Sequence, residues 1–344
     1  MINNTIERSN VELTKQDFVS DQMVKWCPGC GAHAILAAVA NVFPKIGYKK
    51  ENFMVVSGIG CSSRFPYYVN TYGFHGIHGR AHAIASGVKI SNPKLSVWIA
   101  SGDGDSMAIG GNHFIHIIRR NIDVNILLFN NQIYGLTKGQ YSPTTPMGSV
   151  TKTSPFGTIE HPFNPGELVL GAQGTFFARV PDYNVKMMTE VMFEAAKHDG
   201  TSIVEILQNC IIFADGTHDE VLGKEVRDDN QIHLKNGEPM IFGKEGNKGI
   251  RLNGTRLEVV TIGVNGITEK DLLVHDQYEK DPAVHLMLAK MQLPEFPVAM
   301  GVIRSAMYPT YDDLMEESLD YAKSNSPIKC VDDLLNSGEI IEVN

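Results

Sequence analysis

The chain has 344 residues, room for about two domains, and its 43% apolar and 20% charged residues are those of a globular protein in water. A formal net charge of −9 argues against nucleic acid or an anionic membrane as partner, and no apolar run approaches the roughly 18 residues that a membrane span requires. Residues 1–25 carry Glu7, Arg8, Glu12, Lys15, Asp17 and Asp21 with no apolar stretch for a secretion signal, so a cytoplasmic setting is expected, where five cysteines read better as metal ligands or buried residues than as disulfides.

In chain order, residues 1–24 read as a polar arm with little core to bury. Cys27-Pro28-Gly29-Cys30 leads into an apolar helix over 32–43. A buried strand over 53–57 ends in Gly58-Ile59-Gly60-Cys61-Ser62-Ser63-Arg64, and a Gly- and His-rich turn at 72–80 precedes a small-residue helix over 81–90. Residues 96–140 form a strand–helix–strand unit of a parallel sheet, whose helix of about four turns places Met107, Gly110, Gly111, Phe114, Ile117 and Ile118 on one side. Residues 141–165, rich in Pro, Thr, Ser and Gly, have no apolar period and leave from the end of that unit; they read as a lid or partner-contact loop. Strands over 175–180 and 202–207 flank a helix over 185–198. Beyond 225, Asn-Gly pairs at 236–237 and 253–254 mark hairpin turns in a small meander over 231–263, followed by a helix near 284–291 and a polar tail. The fold class is α/β: a mostly parallel sheet with helices on both faces over 1–225, plus a small β-rich C-terminal extension over 226–344.

The chemistry concentrates where the strand at 96–102 turns into its helix. Gly102-Asp103-Gly104-Asp105 occupies the place where backbone N–H groups and a helix dipole ordinarily receive phosphate, yet two carboxylates there would repel it. A divalent cation between them removes the conflict, since Mg²⁺ combines few carboxylates with phosphate oxygens. The next strand ends in Asn130-Asn131, with the Ile133 carbonyl just beyond. Gly-Asp-Gly followed by Asn-Asn after the 25 residues 105–129 resembles the diphosphate motif of thiamine diphosphate (TPP) enzymes. That resemblance implies Asp103, Asn131 and the Ile133 carbonyl as Mg²⁺ ligands.

Parallel α/β sheets bind ligands beyond the carboxyl ends of their strands, which here are Cys61, Asp103, Asn131, Asp182 and Cys210. With Cys27 and Cys30, two of these complete a four-thiolate set. On residues alone a [4Fe–4S] cluster, a Cys₄ zinc site, a redox dithiol and buried structural cysteines all compete. Cys330 stands apart without a partner pattern.

Taken in order, Cys27-Pro28-Gly29-Cys30-Gly31, Gly58-Ile59-Gly60-Cys61-Ser62, His78-Gly79-Arg80, Gly102-Asp103-Gly104-Asp105, the run Asn130 to Gln140, and Cys210 resemble the β subunit of 2-oxoacid:ferredoxin oxidoreductases over about residues 20–225 and, less specifically, 294–304. The resemblance implies a TPP-binding fold and one [4Fe–4S] cluster on Cys27, Cys30, Cys61 and Cys210. Gly60, Cys61, Ser62, His78, Gly102, Gly104, Asp105, Gly135, Leu136 and Thr137 are then expected around TPP. Arg64 is expected at the substrate carboxylate, where related subunits often have Lys and where Arg offers bidentate geometry, and His78 at the aminopyrimidine or the reacting carbonyl. His33 is expected to support the cysteines without ligating. The implied activity is coenzyme A-dependent oxidative decarboxylation of a 2-oxoacid with ferredoxin as electron acceptor. An α subunit would supply the pyrimidine-side domain, a γ-type domain and the activating Glu, in a dimer of αβ heterodimers. The resemblance, which includes the run Ile133 to Gln140, is closer to the 2-oxoglutarate-type two-subunit enzymes than to single-chain pyruvate enzymes and so implies 2-oxoglutarate ahead of pyruvate or a broad specificity. A non-oxidative TPP decarboxylase, or an electron-transfer or zinc module without catalysis, are the competing readings.

Overall fold

The computed structural model describes residues 6–339 and 341; residues 1–5 of the expected arm and residues 340 and 342–344 of the expected tail lie outside them. Strands form where β-branched and aromatic residues run together. They are β1 (Phe53–Ser57), β2 (Tyr72–His75), β3 (Ser96–Gly102), β4 (Asn125–Asn130), the short pair β5 (Ile133–Tyr134) and β6 (Gln140–Tyr141), β7 (Phe176–Pro181), β8 (Ser202–Leu207), β9 (Gln231–His233), β10 (Ile241–Phe242), β11 (Lys248–Asn253), β12 (Arg256–Thr261) and β13 (Val298–Ser305). Eight of them make one sheet in the order β2-β1-β3-β4-β8-β7-β13-β9. From β2 to β7 all pairs are parallel, and every residue of β4 and β8 is buried, as in a sheet covered on both faces.

One face packs on the helices Ala32–Ile46 and Val185–Lys197. The other packs on Ala81–Ser91, Gly111–Arg120 and Ala283–Lys290. Because the strands run in parallel, the turns after β1, β3, β4, β7 and β8 gather on one rim, which brings the motifs together.

Four expectations change. The arm is not without a core: Ile6 and Phe18 are buried, and the Phe18 ring meets Phe43 and Phe53 edge-on at 5.4 and 5.3 Å. A short turn, Lys15–Phe18, capped by reciprocal Thr14–Asp17 bonds, aims this one aromatic inward. The helix after Asp103 is broken: a wide turn at Asp105–Ile109, with Ala108 at φ −86° and ψ −105°, precedes the helix Gly111–Arg120. There the backbone of Gly79 presses on Gly110, where a Cβ would fall 2.6 and 2.3 Å from Gly110 N and Asp105 O respectively if either glycine gained one.

The β-rich extension over 226–344 is present, but part of it joins the main sheet. Only β10–β12 form their own antiparallel sheet, turning at Gly254 as the Asn-Gly signal implies. β13 pairs antiparallel with β7, and β9 pairs parallel with β13, so the boundary at 225/226 cuts through the main sheet. All eight residues of β13 are buried, and burying that apolar surface is what draws the strand in. The polar tail, finally, contains the helices Tyr311–Asn325 and Val331–Leu335.

Candidate functional site

On the rim lies a cavity of about 190 Å³ lined by Gly60, Cys61, Ser62, His78, Gly102, Asp103, Gly104, Asp105, Asn131, Ile133, Gly135, Leu136 and Thr137, together with Ile59, Phe129 and Tyr134. Every residue expected around the coenzyme and its metal is therefore drawn to one place. Gly104 has to be glycine: a Cβ would stand 2.2 Å from the Tyr134 ring, whose hydroxyl donates to the Gly104 carbonyl at 3.1 Å. Burial first, then the Asp103 and Asp105 carboxylates, push the Tyr134 phenol up to about 12.

The two carboxylates differ in what holds them. Asp105 is 2% exposed and saturated by the protein. Its Oδ1 accepts from the Ile59 and Gly79 N–H groups at 3.1 and 2.7 Å and meets His78 Nδ1 at 2.6 Å, while Oδ2 accepts from Ser101 at 2.6 Å. It acts as a brace for the rim rather than a free ligand. Asp103 is equally buried, but its side-chain donors, the Ser142 and Thr144 hydroxyls at 2.5 Å each, both fall on Oδ2. Burial raises its carboxyl pKa, with the two hydroxyls pulling the other way. A buried carboxylate with no cationic side chain on it is suited to a metal ion. Asn131 lies beside it, its Oδ1 accepting from the Ile133 N–H at 3.3 Å.

The cysteines converge at the same rim. A Cβ on Gly135 would stand 3.4 Å from Cys210 Sγ and 3.7 Å from Cys61 Sγ. Burial, reinforced by Cys210, Cys30 and Cys27, pushes the Cys61 thiol up to about 11, with Arg64 opposing. Burial likewise raises Cys30, whose sulfur accepts from Gln208 Nε2 at 3.4 Å. Trp26 Nε1 donates to the Cys61 carbonyl at 2.6 Å, and His33 Nε2 lies 3.2 Å from the Cys27 carbonyl. Among the described residues no three His, Cys, Asp or Glu side chains are gathered tightly enough for one ion. A Cys₄ zinc centre needs its sulfurs within about 4 Å of one another, from Zn–S bonds of about 2.3 Å. A cubane gives each thiolate its own iron and tolerates a wider ring.

Arg64 stands on the short turn Ser62–Arg64, half-buried, outside the lining of this cavity. Cys330 is exposed and far along the chain. Tyr134, Ser142, Thr144, Trp26 and Gln208 were not singled out by sequence. The Thr-Thr pair in the 141–165 loop was the signal for the hydroxyls, but its spacing from Asp103 carries no motif.

These features define a thiamine-coenzyme enzyme, and residues 58–206 match the family described as "Thiamine pyrophosphate enzyme, C-terminal TPP binding domain". The chain is 49% identical over 313 residues to the 2-oxoglutarate oxidoreductase subunit KorB of Mycobacterium tuberculosis, covering 91% of this chain and 83% of that one. It is 43% identical over 196 residues to the 2-oxoglutarate synthase subunit KorB of Archaeoglobus fulgidus, covering 56% of this chain and 73% of that one. A solved 2-oxoglutarate:ferredoxin oxidoreductase from Magnetococcus marinus, with 2-oxoglutarate, coenzyme A and succinyl-CoA bound, matches with a TM-score of 0.78 and 28% identity over 97% of this chain and 100% of that one. The chain belongs to the β subunits of the 2-oxoacid:ferredoxin oxidoreductases, of the KorB type.

Proposed function

We propose that this chain is the coenzyme- and cluster-bearing half of a 2-oxoglutarate:ferredoxin oxidoreductase, converting 2-oxoglutarate and coenzyme A to succinyl-CoA and CO₂ in the cytoplasm. The observation that carries the reading is the single cavity lined by Asp103, Asn131 and Ile133, with the Cys61 and Cys210 thiols meeting at its edge. When bound, TPP supplies an electron sink at the substrate carbonyl and a [4Fe–4S] cluster supplies one-electron acceptance.

The chain's own residues do the rest. Asp103, Asn131 and the Ile133 carbonyl hold Mg²⁺. Gly104, Gly135, Leu136 and Thr137 surround the diphosphate, with Gly60, Ser62 and Gly102 leaving room for it. His78, fixed through Nδ1 by Asp105, keeps Nε2 for the aminopyrimidine or the substrate oxygen. Arg64 attracts the substrate carboxylate. Cys27, Cys30, Cys61 and Cys210 hold the cluster. An α subunit completes the pyrimidine side and supplies the activating Glu, in a dimer of αβ heterodimers, and ferredoxin takes the electrons. The choice of 2-oxoglutarate is supported by the names of the relatives. The test is ferredoxin reduction by the co-expressed pair with coenzyme A and either 2-oxoglutarate or pyruvate. Reduction should be faster with 2-oxoglutarate; a preference for pyruvate would reassign the substrate, and turnover without any ferredoxin reduction would overturn the oxidative reading.

A further inference from the structure

The polar groups behind Asp103 have no part in the roles assigned above. Thr144 Oγ1 lies 2.5 Å from Asp103 Oδ2 and 2.9 Å from Asn130 Oδ1. With one proton to donate, the hydroxyl serves the charged carboxylate first. Asn130 turns its carbonyl oxygen toward Thr144 because its amide donates to Glu205 Oε1 at 2.7 Å. Glu205 is held in turn by Arg179, Nε to Oε2 at 2.7 Å, and both side chains are buried. The contacts thus run Asp103, Thr144, Asn130, Glu205, Arg179, from the turn after β3 across the neighbouring strands β4, β8 and β7.

The charges along this line are uneven. Arg179 balances Glu205, which leaves Asp103 as the uncompensated charge, at the end that faces the cavity. An unbalanced buried carboxylate is costly, and a cation arriving from the cavity would relieve it. The donors on Oδ2 leave Oδ1 without a side-chain donor among the described residues. The loop that delivers these donors is itself fastened: Thr145 donates to the Gln132 carbonyl at 2.6 Å and accepts from the Ser142 N–H at 2.7 Å.

We propose that Thr144 is a positioning residue, which reaches in from the 142–164 loop and fixes the Asp103 carboxylate so that Oδ1 would be left for a metal ion. The inference rests on the reading of Asp103 as a metal ligand. Ser142 alone would leave the carboxylate freer to rotate.

The experiment uses the αβ complex freed of coenzyme, titrated with Mg²⁺ at saturating TPP and followed by calorimetry. Thr144→Val, which keeps the shape and removes the hydroxyl, should raise the Mg²⁺ half-saturation point about tenfold, the scale of one charge-assisted hydrogen bond. The amount of TPP bound at saturating Mg²⁺ should stay at one per site. Thr144→Ser should restore the wild-type half-saturation point, which a loss of packing would not do. If Thr144→Val does not assemble, Thr144→Ala removes the same hydroxyl from a smaller side chain and should raise the same half-saturation point. Asp103→Asn separates the two ideas. If it loses Mg²⁺ while Thr144→Val or Thr144→Ala binds as wild type, the positioning role is overturned and the metal assignment stands. If Asp103→Asn binds Mg²⁺ normally, the metal assignment fails and the inference fails with it.

Discussion

Asp105 gathers four donors from three separate stretches of chain, and the position of His78 depends on it. Its contacts to Ile59 and Gly79 span 46 and 26 residues of sequence. Gly58 must lack a Cβ, since one would fall 2.0 Å from Asp105 Oδ2. Asp105→Asn would present an amide N–H to donors that need an acceptor. Leaving buried donors unpaired costs about 1–3 kcal/mol for each group, so the variant should melt several degrees lower by differential scanning fluorimetry and bind TPP more weakly. An unchanged melting temperature would show that Asp105 braces nothing. At this scale the sequence was legible for where Asp103, Asn131, Cys61 and Cys210 stand, because the residues that end parallel strands meet at one rim. It was not legible for Asp105: the Gly-Asp-Gly-Asp run placed the residue at the cavity, but only the fold shows its carboxylate turned into backbone N–H groups. Nor does periodicity register Thr144, which sits in a loop without regular structure.

Among the elements, β1 and β8 could be read to the residue, since a mostly apolar strand covered on both faces has little polar alternation to confuse it. Short or mixed strands could not. β2 is exposed at all four residues, and β13 contains Gly301 and Arg304 in a run that reads as broken. Arg304 is tolerated there because its guanidinium donates to the carbonyls of Gly174, Glu279 and Lys280. The arm failed for the opposite reason: a single aromatic among polar residues makes no pattern, yet Phe18 is fully buried. Its ring bridges the helix Ala32–Ile46 and β1 through Phe43 and Phe53. Phe18→Ala should therefore cost about 3–5 kcal/mol, seen as a shifted denaturant midpoint, although the residue stands outside the cavity lining. A loss below about 1 kcal/mol would mean that the arm can leave the core freely.

One eight-stranded sheet with two covered faces organises the described chain, and its stability should respond to pH through groups buried in those faces. His198 is 5% exposed, with Nε2 2.8 Å from Thr175 Oγ1 and Nδ1 unpartnered among the described residues, and burial lowers its pKa to about 4 against the opposing charge of Asp123. Its folded pKa lies below the unfolded value of 6.5, so the unfolded chain takes up the proton first. Its share of stability is whole above about pH 6.5 and is lost as pH falls toward 4. Near pH 4.5 the wild type should have lost on the order of 2–3 kcal/mol more than His198→Gln, relative to pH 7.5, because each pH unit between the two pKa values is worth about 1.4 kcal/mol; equal losses would mean that His198 is protonated in the fold. The same unity decides where the chain can be cut. β7 is buried along its length between β8 and β13. A chain ending at residue 225 would lack β9 and β13 and expose the Phe176–Pro181 edge, with its unpaired N–H and C=O groups and apolar faces, and such an edge invites aggregation. That chain should be insoluble or elute as aggregate in size exclusion. A chain ending at residue 329 loses only the exposed helix Val331–Leu335 and the few residues on either side of it, and should elute with wild-type far-ultraviolet dichroism. Soluble, cooperatively melting protein from the shorter chain would restore the boundary at 225/226 and with it a separate C-terminal unit.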